Sequence, residues 1–474
     1  MRSIPRSLRD AFRALGEARS YAAWRAAADE VDRRVGADAW RAEDDSPFYD
    51  AQLLRAHLDE LRSLRTSGPM VRLAARLDES LYRHLGDLSA PDLYTTAYAG
   101  TKHVVEAYLD EVERCMEHIA ASDTGQVGRA EKRARFQRAA DNFGRTALLL
   151  SGGATLGWYH LGVCKALHDQ RLLPTVISGS SMGAMVAAGL CSRDDDELDA
   201  LFADPSAVEL YGLEALGPAE AIRRRAVYDP EVMLAAIRHN VGEFTFAEAH
   251  ARSGRVLNIH VSPVRSRQKP RLLNHLTAPD LLIAESALAS SAIPGAFPPA
   301  TLMRREPGGR VVPYLPTERW IDGSMHGDLP KLRLSRLLNV NHFVVSQTNP
   351  HVLPLARVGR ASGLLPFTVG LTARSARSTA ATAIEVARQL SFATPAGPWL
   401  DLAHSLATQD WGGDIDVHPP FDPRMFRKLM GNATPDDLAV FIREGERAAW
   451  PHIEHIRQQT RIARTFEAIL AHTP

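Results

Sequence analysis

Residues 175–190 read TVISGSSMGAMVAAGL, and the fold is decided by how this stretch is read. Thr175–Ile177 is β-branched and apolar, as suits a buried strand. Met182–Leu190 is small, apolar and compatible with a helix. Between them Gly179–Ser180–Ser181–Met182–Gly183 fits G-x-S-x-G. A strand that enters a helix through so few residues must turn very tightly, and glycine at 179 and 183 removes the side chains that would clash there. Such a turn holds Ser181 at a strained, accessible backbone angle, with helix amides behind it that favour developing negative charge. On the pentapeptide alone, a plain Gly-Ser turn before a buried helix remains open beside a nucleophile elbow.

Upstream, Thr146–Leu150 reads as a strand and Trp158–Leu167 as a helix, joined by Ser151–Gly152–Gly153–Ala154–Thr155–Leu156–Gly157. A strand, a glycine turn and a helix start make a nest of free amides suited to an anion. A dinucleotide fingerprint would need glycine at Ala154 and an acidic residue ending the next strand, whereas Asp169 falls in the intervening helix. A phosphate loop would need Gly-Lys-Ser/Thr, which is missing from this segment. Downstream, Trp320–Ile321–Asp322–Gly323–Ser324 leads an apolar pair to a carboxylate at a glycine turn. By itself that pattern is most simply a turn-forming aspartate.

The texture of the chain divides it into three. Residues 1–140 read as helical, with apolar spacing of three and four in Ala51–Leu64 and Asp92–Met116 and breaks at Pro47 and Thr66–Pro69. Residues 144–350 alternate strands, including Val256–Val261 and Val340–Val345, with helical stretches. This alternation predicts an α/β domain with a doubly wound, mostly parallel sheet and helices on both faces. Residues 351–474 read as a mixed C-terminal extension, with a strand at Asp414–Val417 and a final helix from about Asp436.

Composition narrows the function classes. Lys plus Arg and Asp plus Glu both total 56 in 474 residues, so no basic excess points to nucleic acid. Cys115, Cys164 and Cys191 form no CxxC and no metal-ligand spacing, which predicts a reducing, cytoplasmic setting and no metal. The N-terminal MRSIPRSLRDAFRALGEARS is too charged for a signal peptide, and no run of about 18 uncharged apolar residues occurs. Any contact with a bilayer is therefore expected to be from the side.

Taken together, S-G-G-A-T-L-G at 151–157, G-S-S-M-G at 179–183, Ala289–Pro299 (ASSAIPGAFPP) and D-G-S at 322–324 closely resemble the patatin-like phospholipase family. The flanks narrow the resemblance to a sub-branch of triacylglycerol lipases with an extra N-terminal helical domain. They are Leu93–Leu109, Phe143–Leu161, Arg271–Pro279, Asn341–Val352 and Gly445–Ile462, so the likeness spans roughly residues 20–465. The resemblance implies a serine lipid acyl hydrolase working through an acyl-enzyme without a cofactor. It implies Ser181 as nucleophile, Asp322 as base in a Ser–Asp dyad, and Gly152, Gly153, Ala154 and Met182 as oxyanion donors. Glycerolipid is the implied substrate, met at a membrane or lipid-droplet surface. Phospholipase A or lysophospholipase action, acyltransfer, and a non-catalytic lipid-binding scaffold are the alternatives.

Two departures from the family pattern matter. Ala154 stands where a third loop glycine is common, so an ordinary negative φ is expected there. Leu156 replaces a cation, which tilts the expectation towards neutral glycerides.

A Ser-His-Asp triad through His326 or His160 is the competing mechanism, and both histidines are read as packing or surface residues. H-x-x-x-x-D occurs at His118–Asp123 and His275–Asp280, at the frequency that chance allows. The first 35 residues hold eight Arg against five acids and read most simply as a packed helix with a solvated face, with an interfacial helix on lipid as the alternative. The apolar stretch Ala361–Leu371 reads as either a lipid-docking segment or a buried turn.

Overall fold

Short runs buried along nearly their whole length, as strands covered on both faces are, form the centre of this chain. The structure, a computed structural model, describes residues 6–122, 129–265, 268–350, 352, 411–420 and 428–472. The side chains of residues 129, 325 and 326 are outside that description, as is the whole Ala361–Leu371 stretch. Two units are distinguished: residues 1–146, 169–172 and 449–474 form one, and residues 147–168 and 173–448 the other.

The first unit is helical. Its helices are α1 (Arg6–Glu17), α2 (Tyr21–Val35), α3 (Ala37–Ala42), α4 (Ala51–Ser67), α5 (Met70–Ser80), α6 (Asp92–Thr95), α7 (His103–Ala121) and α8 (Arg129–Phe143). Leu54, Leu58 and Leu61 of α4 share a core with Val105, Tyr108 and Val112 of α7, the three-and-four spacing of an amphipathic helix. The C-terminal helix Ile453–His472 adds Ile462, Phe466 and Ile469 to the same core. The final residues therefore group with the N-terminal helices and do not complete a separate C-terminal extension. The basic α1 packs on α2, burying Ala11 and leaving Phe12 exposed.

Two helical readings need correction. Asp92–Met116 is not continuous, because helix stops at Thr95 and restarts at His103. Buried Asp32 accepts the amides of Tyr98 at 3.0 Å and Ala99 at 2.8 Å, and Gly100 takes φ +154. These tertiary bonds outweigh local helix propensity. The final helix is likewise two helices, Pro435–Ala449 and Ile453–His472, with Pro451 in the 3₁₀ turn between them because proline lacks the amide a continuing helix needs.

The second unit is built on a seven-stranded sheet. Among its elements are β1 (Arg145–Leu150), α9 (Tyr159–Asp169), β2 (Val176–Gly179), α10 (Met182–Cys191), β3 (Val256–Pro263), β4 (Arg271–Leu273), α11 (Ile283–Ser290), β5 (Trp320–Asp322), α12 (Lys331–Leu338), β6 (Val340–Ser346) and β7 (Ile415–Val417). The spatial order is β4-β3-β2-β1-β6-β7, with β5 also paired to β3. The pairs β1–β2, β2–β3 and β6–β7 are parallel, while β4 and β5 run antiparallel to β3. The sheet is thus mostly parallel with an antiparallel edge.

Helices cover both faces. Leu334 and Leu338 of α12 pack on Ala147, Leu149, Val176 and Val345. Helices α10 and α11 pack on β3, and α10 also on β2. Strand order reverses at β1, whose neighbours β2 and β6 lie on opposite sides. In doubly wound sheets, ligands bind at the carboxyl ends of the strands beside such a switch point.

Candidate active site

Ser181 lies in the turn that joins β2 to α10. Its backbone has φ +54 and ψ −126, a region that costs a residue with a side chain about 1–3 kcal/mol. Packing holds it there. A Cβ on Gly179 would stand 2.2 Å from the Gly183 carbonyl oxygen, and one on Gly183 would stand 2.3 Å from that of Leu150. The Ser181 amide donates to both the carbonyl oxygen and Oγ of Ser290, each at 3.1 Å. Ser290 Oγ in turn donates to the His260 carbonyl at 2.7 Å. Ser180 is turned away and fully buried, its hydroxyl donating to the Asp328 carbonyl at 2.8 Å.

Asp322 ends β5, opposite Val261 of β3. Glycine must follow it, because a Cβ at Gly323 would lie 2.0 Å from the His260 carbonyl. Asp322 Oδ1 accepts the Ser324 amide at 2.7 Å, while Oδ2 forms no regular hydrogen bond with the described residues. Burial pushes the carboxyl up to about 6, against the lowering hydrogen bonds of Ser324 and of the nearby Ser181 hydroxyl. Asp322 is thus a carboxylate whose basicity burial has raised.

The loop after β1 differs from expectation at two residues. Ala154 adopts φ +47, not a negative value. Its neighbours impose this: the Thr155 amide donates to the Leu429 carbonyl at 3.2 Å, Thr155 Oγ1 to that of Gly431 at 2.7 Å, and the Leu156 amide to that of Gly153 at 3.1 Å. A methyl group is small enough to bear the left-handed turn at about 1–2 kcal/mol. The second difference is at Gly152, whose amide already donates to Asp328 Oδ1 at 2.9 Å. The amides of Gly153, Ala154 and Met182 donate to none of the described residues and remain available. Gly153 has no room for a side chain, since a Cβ would lie 2.2 Å from Thr348 Oγ1. Leu156, the residue in place of a cation, is buried against Phe441.

An apolar cavity opens from Ser181. Met185, Val186, Leu190, Met233, Ile237 and Phe297 line it, with about 1190 Å³ of empty space, part of it open to solvent. A hydrocarbon chain suits such a wall, whereas a charged group would lose most of its hydration there. Arg193 also lines the cavity, its guanidinium held by the carbonyls of Gly189 at 2.7 Å and Asn240 at 2.8 Å.

His160 does not face the serine. Its Nδ1 meets Ser346 Oγ at 2.7 Å and its Nε2 the Ser151 carbonyl at 2.9 Å, and burial pushes its pKa down to about 4. Both ring nitrogens are committed to joining the ends of β1 and β6. The side chain of His326 and the whole of Asp123 are outside the described residues. His275 stacks on His250 at 3.9 Å and does not line the cavity.

Three contributors are given no role by the sequence reading: Ser290 and Asn349, which lie inside the quoted stretches Ala289–Pro299 and Asn341–Val352, and Asp328, which lies outside every quoted motif. Asn349 follows β6 beside the switch point, and that position is the signal that could have found it.

The chain resembles known proteins along most of its length. Residues 148–332 match the patatin-like phospholipase family, and residues 3–141 match a domain of unknown function, DUF3336. Triacylglycerol lipase ptl3 of Schizosaccharomyces pombe is 32% identical over 463 residues, covering 94% of each chain. A patatin-like phospholipase domain-containing protein of Aspergillus terreus is also 32% identical, over 94% of this chain and 66% of its own length.

Proposed function

This chain belongs to the patatin-like phospholipase family of carboxylic ester hydrolases, and from that premise we propose that it hydrolyses neutral glycerolipids, triacylglycerol foremost, with Ser181 as nucleophile and Asp322 as base. The observation that carries this reading is the strained Ser181 at the head of an apolar cavity, beside the buried Asp322.

Asp322 accepts the hydroxyl proton as Ser181 Oγ attacks the ester carbonyl. The oxyanion of the tetrahedral intermediate is met by the Gly153, Ala154 and Met182 amides, at the positive end of α10. Asp322 passes the proton to the departing glycerol oxygen. Water, deprotonated by the same carboxylate, then cleaves the acyl-enzyme, releasing fatty acid and restoring Ser181.

Three features support neutral lipid over phospholipid: the S. pombe relative is named a triacylglycerol lipase, Leu156 replaces a loop cation, and the cavity is mainly apolar. On a lipid panel, kcat/KM for emulsified long-chain triacylglycerol should exceed that for phosphatidylcholine vesicles by about tenfold or more, a difference of ~1.4 kcal/mol. Equal or reversed values would make the enzyme a phospholipase.

The same reading places the protein on a lipid surface peripherally, with no described helix long and apolar enough to cross a membrane. Support for where it docks comes from exposed side chains on segments next to the cavity lining. Tyr211 is 53% exposed, Val227 50% and Met430 43%. These residues stand on segments that line the cavity or bond to its lining: the Gly212 and Leu213 amides donate to Asn432, and Tyr228 Oη donates to the Met430 carbonyl. Burying such side chains in lipid contributes about 1.5–3 kcal/mol each at full transfer. The double variant Tyr211→Ser, Val227→Ser should lose about tenfold on emulsified triacylglycerol while staying within about twofold on a short soluble ester. Equal loss on both substrates would return these side chains to a structural role.

A further inference from the structure

A second buried carboxylate stands in the site with no part in the steps above. Asp328 is 1% exposed and lies six residues after Asp322. One of its oxygens accepts the Gly152 amide at 2.9 Å, and the other accepts Asn349 Nδ2 at 2.5 Å. Its carbonyl oxygen accepts the Ser180 hydroxyl at 2.8 Å. One residue thereby ties together the loop after β1, the elbow after β2, the turn after β5 and the segment after β6.

Gly152 is packed at the centre of this arrangement. A Cβ added there would meet Asn349 Oδ1 at 3.4 Å, Ser181 Cβ at 3.5 Å and Asp328 Oδ1 at 3.6 Å. The loop's first amide is therefore beside the nucleophile yet unavailable to an oxyanion, because a carboxylate holds it. The next two amides carry no such bond among the described residues.

We propose that Asp328 is a positioning residue for ester hydrolysis: by holding the Gly152 amide, with Asn349 steadying the carboxylate, it fixes the loop so that Gly153 and Ala154, not Gly152, present their amides to the oxyanion. Asp328 acts through the loop and touches no substrate. The arrangement is costly enough to need a purpose. Burial pushes the Asp328 carboxyl up to about 7, offset by the Gly152 hydrogen bond and reinforced by the charge of Asp322. A second acid next to the base opposes ionisation of both. A neutral acceptor would avoid that penalty, so the strength of a charge-assisted bond to the loop amide is what the carboxylate adds.

This inference rests on the Ser181 reading, so wild-type turnover of a soluble ester and fluorophosphonate labelling of Ser181 are measured first. Failure of either removes the reading itself, whatever Asp328 does. The variants then test the loop. Asp328→Ala should lower kcat by about 100-fold, the scale of one misplaced oxyanion donor, with KM within about threefold. An alkyl trifluoromethyl ketone, which adds to Ser181 as an oxyanion, should bind more weakly by a comparable factor. A non-hydrolysable ether of the same chain should bind as before.

Asp328→Asn keeps an acceptor oxygen for Gly152, and a flipped Asn349 amide can accept its new N–H. It should therefore recover to within about tenfold of wild type while folding normally. If Asp328→Ala keeps kcat within about threefold, the positioning role is overturned. Parallel loss of ketone and ether binding would reduce Asp328 to general scaffolding. Should the alanine variant not fold, Asp328→Asn decides alone: recovery supports an acceptor role, and a folded protein slowed by 100-fold or more rejects it.

Discussion

Replacing Ser181 with alanine is expected to reduce ester hydrolysis by about 10⁴-fold or more, equivalent to ~5.5 kcal/mol of lost transition-state stabilisation. The size follows from the chemistry. Without Oγ there is no acyl-enzyme, and the cavity and loop amides can only assist direct attack by water. Stability should change little or rise, because the side chain removed is small and the strained backbone is held by packing at Gly179 and Gly183 and by Ser290. The adjacent hydroxyl provides the control. Ser180→Ala loses one buried hydrogen bond to the Asp328 carbonyl, worth about 1 kcal/mol, and should retain most activity. Steady-state hydrolysis of a soluble ester, with fluorophosphonate labelling mapped by mass spectrometry, separates the two. A label on Ser180, or turnover in the Ser181→Ala variant within tenfold of wild type, would overturn the assignment.

How far the sequence reaches depends on the range of the force that fixes each part. The elbow is legible because its determinants are local: two glycines, a β-branched strand and a small-residue helix lie within residues 175–190. The strands at Val256 and Val340 are legible for a similar reason, since each carries several β-branched apolar residues within a short run, although Asn258, His260, Asn341 and His342 interrupt the pattern. Asp322 is different. Its motif reads as an ordinary turn, and only the resemblance of the whole pattern singled it out. What makes it a basic, buried carboxylate is its pairing with β3, some sixty residues earlier in the chain.

The roles of Asp328 and Asn349 have no local signature, because they arise only when segments far apart in the chain bring Gly152, Ser180 and Asn349 to Asp328. The same long-range bonds explain the overextended helix. Asp32 bonds to Tyr98 and Ala99 break a periodicity that the sequence of 92–116 alone would continue. The positive φ of Ala154 belongs here too, since it is imposed by Leu429 and Gly431 from far along the chain.

Asp322→Asn should cost about 10³–10⁴-fold in kcat/KM, while His160→Ala stays within about tenfold and loses chiefly stability. The amide can accept the Ser324 bond that Oδ1 accepts now, so the fold should survive. It cannot take a proton, however, and Ser181 would have to ionise unaided. His160 offers no substitute, because both ring nitrogens are engaged and its pKa is about 4.

The pH profile gives the same test a sign. Burial raises the Asp322 carboxyl to about 6, and the base must be ionised to work. Activity should therefore be level above about pH 7 and fall as pH drops through about 6, approaching tenfold per unit. Asp328, pushed up to about 7, titrates beside it, so the acidic limb belongs to the pair and not to either residue alone. A serine assisted by a free aspartate would instead keep its activity down to about pH 4. An acidic limb near 4, or a collapse of activity in His160→Ala with the fold intact, would exclude the dyad. The first would mean that Asp322 is solvated during turnover, and the second that a histidine moves to the serine when substrate binds.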